Sequence, residues 1–326
     1  MKNILVTGAT GFIGSNLSSR LTELGYTVRI LRRENSDLRA IRGIDVEHRI
    51  GDVRDPESVR RAVADCDTVF HTAAIVTFAR KQRDLQRAVI VEGTQNVVES
   101  CLASKVEKLV YTSSIAAIGH TSTGEPATEE TPFNWPRTAG YKFFKYQAEQ
   151  YVLDSVVRGL NAVIVNPSVV IGERDIHFHG GQLVKEAKKG RLLVYPDGGM
   201  NVVYVGDVVS GHILAAQKGR PGERYILGGH NMTHKEIFQR TTGLVGRRAP
   251  FVRLPTPLLR LGARIVETTS NAIGVDPPIS PDLVAGAGLL NWYSCQKAER
   301  ELAYAVTPFD EMITAAYRWY KENGLL

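Results

Sequence analysis

Short apolar runs alternate with amphipathic stretches from the start of the chain to Pro167. Ile4, Leu5 and Val6 suit a buried strand; Leu17, Leu21 and Leu24 then recur at helical spacing until Gly25 stops the helix. Further strands are predicted over 28–31, 46–50, 68–70, 108–111 and 162–165, with helices between them, most clearly over 91–103 and 142–157. Strands alternating with helices mean βαβ units, so the expected fold is α/β with a doubly wound parallel sheet.

Beyond Pro167 the rhythm loosens. Residues 172–196 are rich in Gly, His and Lys, and 248–281 carry six prolines among short helical patterns. These stretches predict a smaller, irregular C-terminal lobe. Val202-Val203-Tyr204-Val205 reads as a strand returning to the first sheet. The expected division is therefore interleaved: 1–170 plus about 201–228 in one domain, about 171–200 and 229–326 in the other. Leu258, Leu259, Leu261 and Ile265 recur at helical spacing and predict an amphipathic helix covering an apolar pocket, with Arg260 and Arg264 on its other side. No internal repeat or low-complexity tract interrupts the chain.

Composition narrows the class. With 326 residues, 43% hydrophobic and 23% charged, the chain is neither fibrous nor disordered. No apolar run reaches the roughly 18 residues a membrane span needs. No cationic leader with an apolar core and cleavage site opens the sequence, so no export signal is expected. Cys66, Cys101 and Cys295 are few, odd in number and far apart, which argues against a disulfide framework and for a cytoplasmic location. The net charge of +6 raises nucleic acid as a partner, but the cations are interleaved with acids and no nucleic-acid module matches. A slightly basic surface with one anion site accounts for the charge.

That anion site is readable. Gly8, Gly11 and Gly14, with Phe12 and Ile13 between the last two, follow the first strand and open the first helix. The first glycine allows a tight turn, the second lets backbone N–H groups approach a pyrophosphate, and the third lets helix and strand pack closely. At the end of the second strand stand Arg32 and Arg33, whose guanidinium forks suit a ribose 2′-phosphate. This favours NADP over NAD. NAD remains possible if Glu34 or Asp52 meets the ribose or adenine instead.

Tyr141 and Lys145 lie four residues apart at the start of a predicted helix, hence on one face. A nearby ammonium favours a phenolate, so the pair can serve as an acid–base centre. Thr112, Ser113 and Ser114 end a strand, where hydroxyls of a doubly wound sheet face the ligand crevice.

Taken together, Thr7–Gly14, Gly51-Asp52-Val53, His71-Thr72-Ala73-Ala74, Thr112-Ser113-Ser114, Tyr141 with Lys145, and Asn166-Pro167-Ser168 resemble the extended short-chain dehydrogenase/reductase family. The likeness runs over essentially the whole length. It implies a triad in which Ser114 orients the substrate, Tyr141 is the acid/base and Lys145 binds the ribose and tunes the tyrosine. Ser113 is the alternative for the serine. The resemblance further implies that Asp52 and Val53 flank the adenine and that Ala73 and Pro167 touch the cofactor. An asparagine that supports a proton relay in the family is replaced by Ile90. The stretches 28–33, 166–172, 222–229 and 297–302 are similar to the dihydroflavonol-reductase-like branch, which includes proteins called hopanoid-associated sugar epimerases.

The expected activity is NADP-dependent reduction of a ketone or aldehyde on a small, partly hydrophobic substrate. A nucleotide-sugar epimerase or dehydratase with retained NAD is the alternative. Against it, Ile115-Ala116-Ala117 follows the serine where family dehydratases have an acidic pair, and Asn166 and Met200-Asn201 replace cations common in sugar-nucleotide enzymes. A cofactor-binding sensor without turnover is a third reading. His177 and His179 are expected in a substrate-bordering loop, not a metal site, since no further ligands are identifiable. His71 should pack near the cofactor and His120 should line the pocket. The resemblance also suggests a homodimer, through the helices at 91–103 and 142–157.

Overall fold

In the computed structural model, which describes all residues except 78–79, 122–123, 139, 250–251, 273–283, 285 and 287, buried aliphatic runs make a central parallel sheet. Its strands are β1 (Asn3–Thr7), β2 (Thr27–Arg32), β3 (Glu47–Ile50), β4 (Thr68–His71), β5 (Lys108–Thr112), β6 (Ala162–Pro167) and β10 (Arg224–Leu227). They lie in the order β10-β6-β5-β4-β1-β2-β3. Every neighbouring pair is parallel. β4 and β6 are buried along their whole length, as strands covered on both faces must be, whereas β3 at the edge is exposed and carries Glu47, His48 and Arg49.

Alternate side chains feed two cores. Ile4 and Val6 face a layer formed by α1 (Phe12–Glu23), α7 (Val205–Lys218) and α10 (Gln296–Leu302). Leu5 points the other way, into α2 (Pro56–Val63), α4 (Gly93–Ala103) and α5 (Gly140–Val157). Between β4 and α4 run a short helix α3 (Arg83–Arg87) and a π-turn over Ala88–Glu92.

The remaining elements build the second lobe: β7 (Val169–Ile171), α6 (Gln182–Lys188), β8 (Val194–Pro196), β9 (Gly199–Tyr204), β11 (His230–Thr233), α8 (His234–Leu244), β12 (Val252–Leu254), α9 (Thr256–Ala272), β13 (Leu290–Asn291) and α11 (Phe309–Glu322). Its core joins Ile171, Val184, Ile237, Phe309, Met312 and Tyr320. A Thr233–Glu236 capping box starts α8.

Two expectations are corrected. Residues 199–204 do form a strand, but β9 pairs with β7, β11 and β13 in a second sheet, not with the first one. Asn201 directs this: its side chain accepts from Gly229 N (2.8 Å) and donates to Asn231 Oδ1 (2.7 Å). The open edge beside β6 is taken by β10, with Tyr225, Ile226 and Leu227 fully buried. The helix expected near 254–266 exists as α9, yet of its apolar stripe only Leu259 reaches the cavity described below. Leu258, Leu261 and Ile265 are each more than half exposed, because the inner face is set by Leu259 and Ala263 instead. Of the six prolines in 248–281, Pro250, Pro277, Pro278 and Pro281 lie outside the described residues. No described helix is long and apolar enough to cross a membrane.

Candidate active site

Strand order reverses between β1 and β4, so the loops after these strands part and leave a crevice at the carboxyl ends. A cavity of about 1170 Å³ occupies it and runs from β2 to the second lobe. Its floor is the glycine loop. Gly8 has φ +71°, and a Cβ there would lie 2.6 Å from the Ala73 backbone. At Gly14 a Cβ would collide with the Gly8 carbonyl and stand 2.8 Å from Ala9 Cα. Gly11 N donates to Gly8 O (2.9 Å), closing the turn, and α1 begins at Phe12. The N–H groups of Phe12, Ile13 and Gly14 are therefore left without intrahelical acceptors at the positive end of the helix.

Below the loop, His71 is buried and bridges Thr7 Oγ1 (2.7 Å) to Thr94 Oγ1 (3.0 Å). Burial pushes it down to about 3, so it is a neutral brace, with the packing role anticipated for it. Ala73 lines the cavity against Gly8.

At the β2 end, Arg32 and Arg33 both line the cavity. Arg32 donates from Nε to His48 Nδ1 (2.8 Å) and from its terminal nitrogen to the Arg33 carbonyl (3.1 Å). Asp52 and Val53 follow β3. The Asp52 carboxylate receives the Arg54 guanidinium at 2.8 Å, which holds it below the usual carboxylate range. Asp37, five residues after the end of β2, is likewise neutralised by Arg39 (2.7 Å).

Beyond β5 the proton-transfer groups converge. Ser114 Oγ accepts from Ala116 N (3.1 Å), and the Ser114 side chain acts on the Tyr141 phenol. Ser113 is buried 97% and its hydroxyl has no partner among the described residues, although it too borders the cavity. Tyr141 and Lys145 project from one face of α5. Lys145 is buried and donates to the Thr112 carbonyl (2.8 Å), while Thr112 Oγ1 bonds His212 Nε2 (2.8 Å). Burial drives Lys145 down to about 7, with the Glu149 carboxylate opposing the shift. Burial pushes the Tyr141 phenol up to about 12, with the Ser114 hydrogen bond pulling it back. Pro167, at the end of β6, closes this side.

Ile90, at the position where an asparagine was anticipated by likeness, is 99% buried in the π-turn. Its carbonyl accepts from Thr94 Oγ1 (2.6 Å). Three residues escaped the sequence reading. Lys142 lines the cavity beside Tyr141, Trp135 forms part of its wall, and Glu149 is a buried carboxylate under Lys145. His177 and His179 do border the cavity, with rings 6.1 Å apart, and no metal-binding cluster occurs among the described residues. His120 does not line it: its ring packs on Trp135 at 4.5 Å, behind the wall.

The geometry has known parallels. The profile of the 3-beta hydroxysteroid dehydrogenase/isomerase family matches residues 5–226. A Synechocystis sp. protein named for dihydroflavonol 4-reductase is 32% identical, over 98% of this chain and 94% of its own. Sterol demethylase protein B of Methylococcus capsulatus is 30% identical over 99% of both chains. The crystal structure of gox2253 superposes with a TM-score of 0.87 over the full length of both chains, at 35% identity.

Proposed function

Since the chain belongs to the 3-beta hydroxysteroid dehydrogenase/isomerase family of extended short-chain dehydrogenases/reductases and is an NAD(P)-dependent oxidoreductase, we propose that it uses NADP(H) to reduce a ketone or aldehyde on a partly apolar substrate. The observation that carries this reading is one cavity joining the glycine loop to Ser114 and Tyr141.

The residues fit a dinucleotide. A pyrophosphate suits the free N–H groups of α1, where the Gly8 and Gly14 positions tolerate no side chain that would fill the cradle. Arg32 and Arg33 would hold a 2′-phosphate, with Asp52 and Val53 at the adenine and Ala73, Thr112 and Pro167 further along. Lys145 would bind the nicotinamide ribose. When bound, the nicotinamide supplies the hydride. Tyr141 stays protonated at neutral pH because burial raises its pKa, and so it is a proton donor to the alkoxide oxygen that reduction creates. Ser114 orients that oxygen beside the phenol. The apolar residues Trp135, Met200, Phe238 and Leu259 exclude water and favour an apolar substrate body.

Replacing Tyr141 by Phe tests the assignment. Turnover of NADPH against a panel of ketones and aldehydes should fall by about 100-fold or more. NADPH affinity should stay within a few-fold. Unchanged turnover in Tyr141→Phe would remove the tyrosine from the chemistry.

A further inference from the structure

The end of the cavity next to Tyr141 holds a charge that reduction does not use. Lys142 follows Tyr141 on α5, is half-buried and lines the cavity. Its ammonium rests on the face of Trp135, 2.8 Å from the ring centre, and no described carboxylate pairs with it. The carboxylates that do border the cavity, Asp37 and Asp52, belong to the nucleotide end and are already joined to Arg39 and Arg54.

Trp135 walls Lys142, and the same cavity is lined by the apolar side chains of Met200, Phe238 and Leu259. His234 also lines the cavity, and burial lowers its pKa. An aromatic face compensates an ammonium only in part. Consistent with that, burial presses Lys142 down to about 7. A cation left under-compensated in an apolar cavity is stabilised by an anion brought in by the ligand.

We propose that Lys142 selects substrates that carry a carboxylate, so that the ligand class is an apolar oxo- or hydroxy-acid. Lys142 opens into the same cavity as Tyr141, so a single ligand can meet both. Apolar side chains receive the rest of the molecule. This rests on the reading of Tyr141 as the group that meets the carbonyl, but the anion site itself is defined without it.

Calorimetric titration of decanoate and of its neutral isostere decanamide into the full chain separates the two. Wild type should bind decanoate at least ten-fold more tightly than decanamide. Lys142→Met should remove that preference by weakening decanoate about ten-fold while leaving decanamide within two-fold, and Lys142→Arg should retain it. Equal affinities in wild type, or a preference that survives Lys142→Met, overturn the proposal. Neither titration requires hydride transfer, so a chain that binds decanoate through Lys142 yet reduces no carbonyl would refute the reductase reading alone.

Discussion

At Gly8 the backbone turns through φ +71° directly beneath the space that the cofactor phosphates would fill, and the Ala73 backbone leaves no room for even a methyl group. Alanine there meets both a conformational and a steric penalty. Gly8→Ala should lower stability by roughly 2 kcal/mol or more and weaken nucleotide binding in parallel, read by denaturant unfolding and by NADPH titration. Wild-type values for both would mean that the loop can relax away from Ala73. Such positions are legible in a sequence because glycine spacing and a following helix state the geometry locally. Ser114, Tyr141 and Lys145 are legible for the same reason, as a strand end and one helical turn. Lys142 is not: whether a residue beside a tyrosine faces solvent or a cavity depends on what packs over the helix, here Trp135 from the loop that leads into the helix. The expectation for His120 failed in the same way, because Trp135 stands between it and the cavity.

Element by element, α5 is fixed to the sheet by a buried polar network. Glu149 is wholly buried, accepts from Asn166 Nδ2 (2.7 Å) and pairs with Arg224 of β10 (3.2 Å). Asn166 also donates to the Ser114 carbonyl (3.0 Å), so one side chain braces the serine and the carboxylate beneath Lys145. Arg224 bonds in addition to the Glu129 carbonyl. Arg224→Met should leave Glu149 as an uncompensated buried carboxylate and cost roughly 3 kcal/mol, measured by denaturant unfolding. Adding Glu149→Gln should recover part of it, since the buried charge is then gone. A loss below about 0.5 kcal/mol in the single variant would mean that Asn166 and solvent suffice for Glu149. None of this network could be read from spacing. Its members lie on β6, α5, β10 and a loop, and only the sheet order brings them together.

For the whole molecule, the alternation of strand and helix was enough to predict a doubly wound sheet, because parallel strands covered on both faces have few other solutions. Strand assignment to a particular sheet was less readable. Both β9 and β10 are short apolar runs, and β9 joins the second sheet with the Asn201 side chain bonded to Gly229 and Asn231 beside it. The consequence is functional: β9 belongs to the second lobe and contributes Met200 to the cavity wall. If this cavity is a site for exchangeable NADP(H) serving carbonyl reduction, the protein should carry that nucleotide and release it. The most direct test is to identify the nucleotide on the purified protein and follow its replacement by added NADPH. The expected result is NADP(H) exchanged completely within minutes, with binding dependent on Arg32 and Arg33. Stoichiometric NAD(H) that does not exchange would contradict it and point to a reaction in which the cofactor is reduced and reoxidised without leaving.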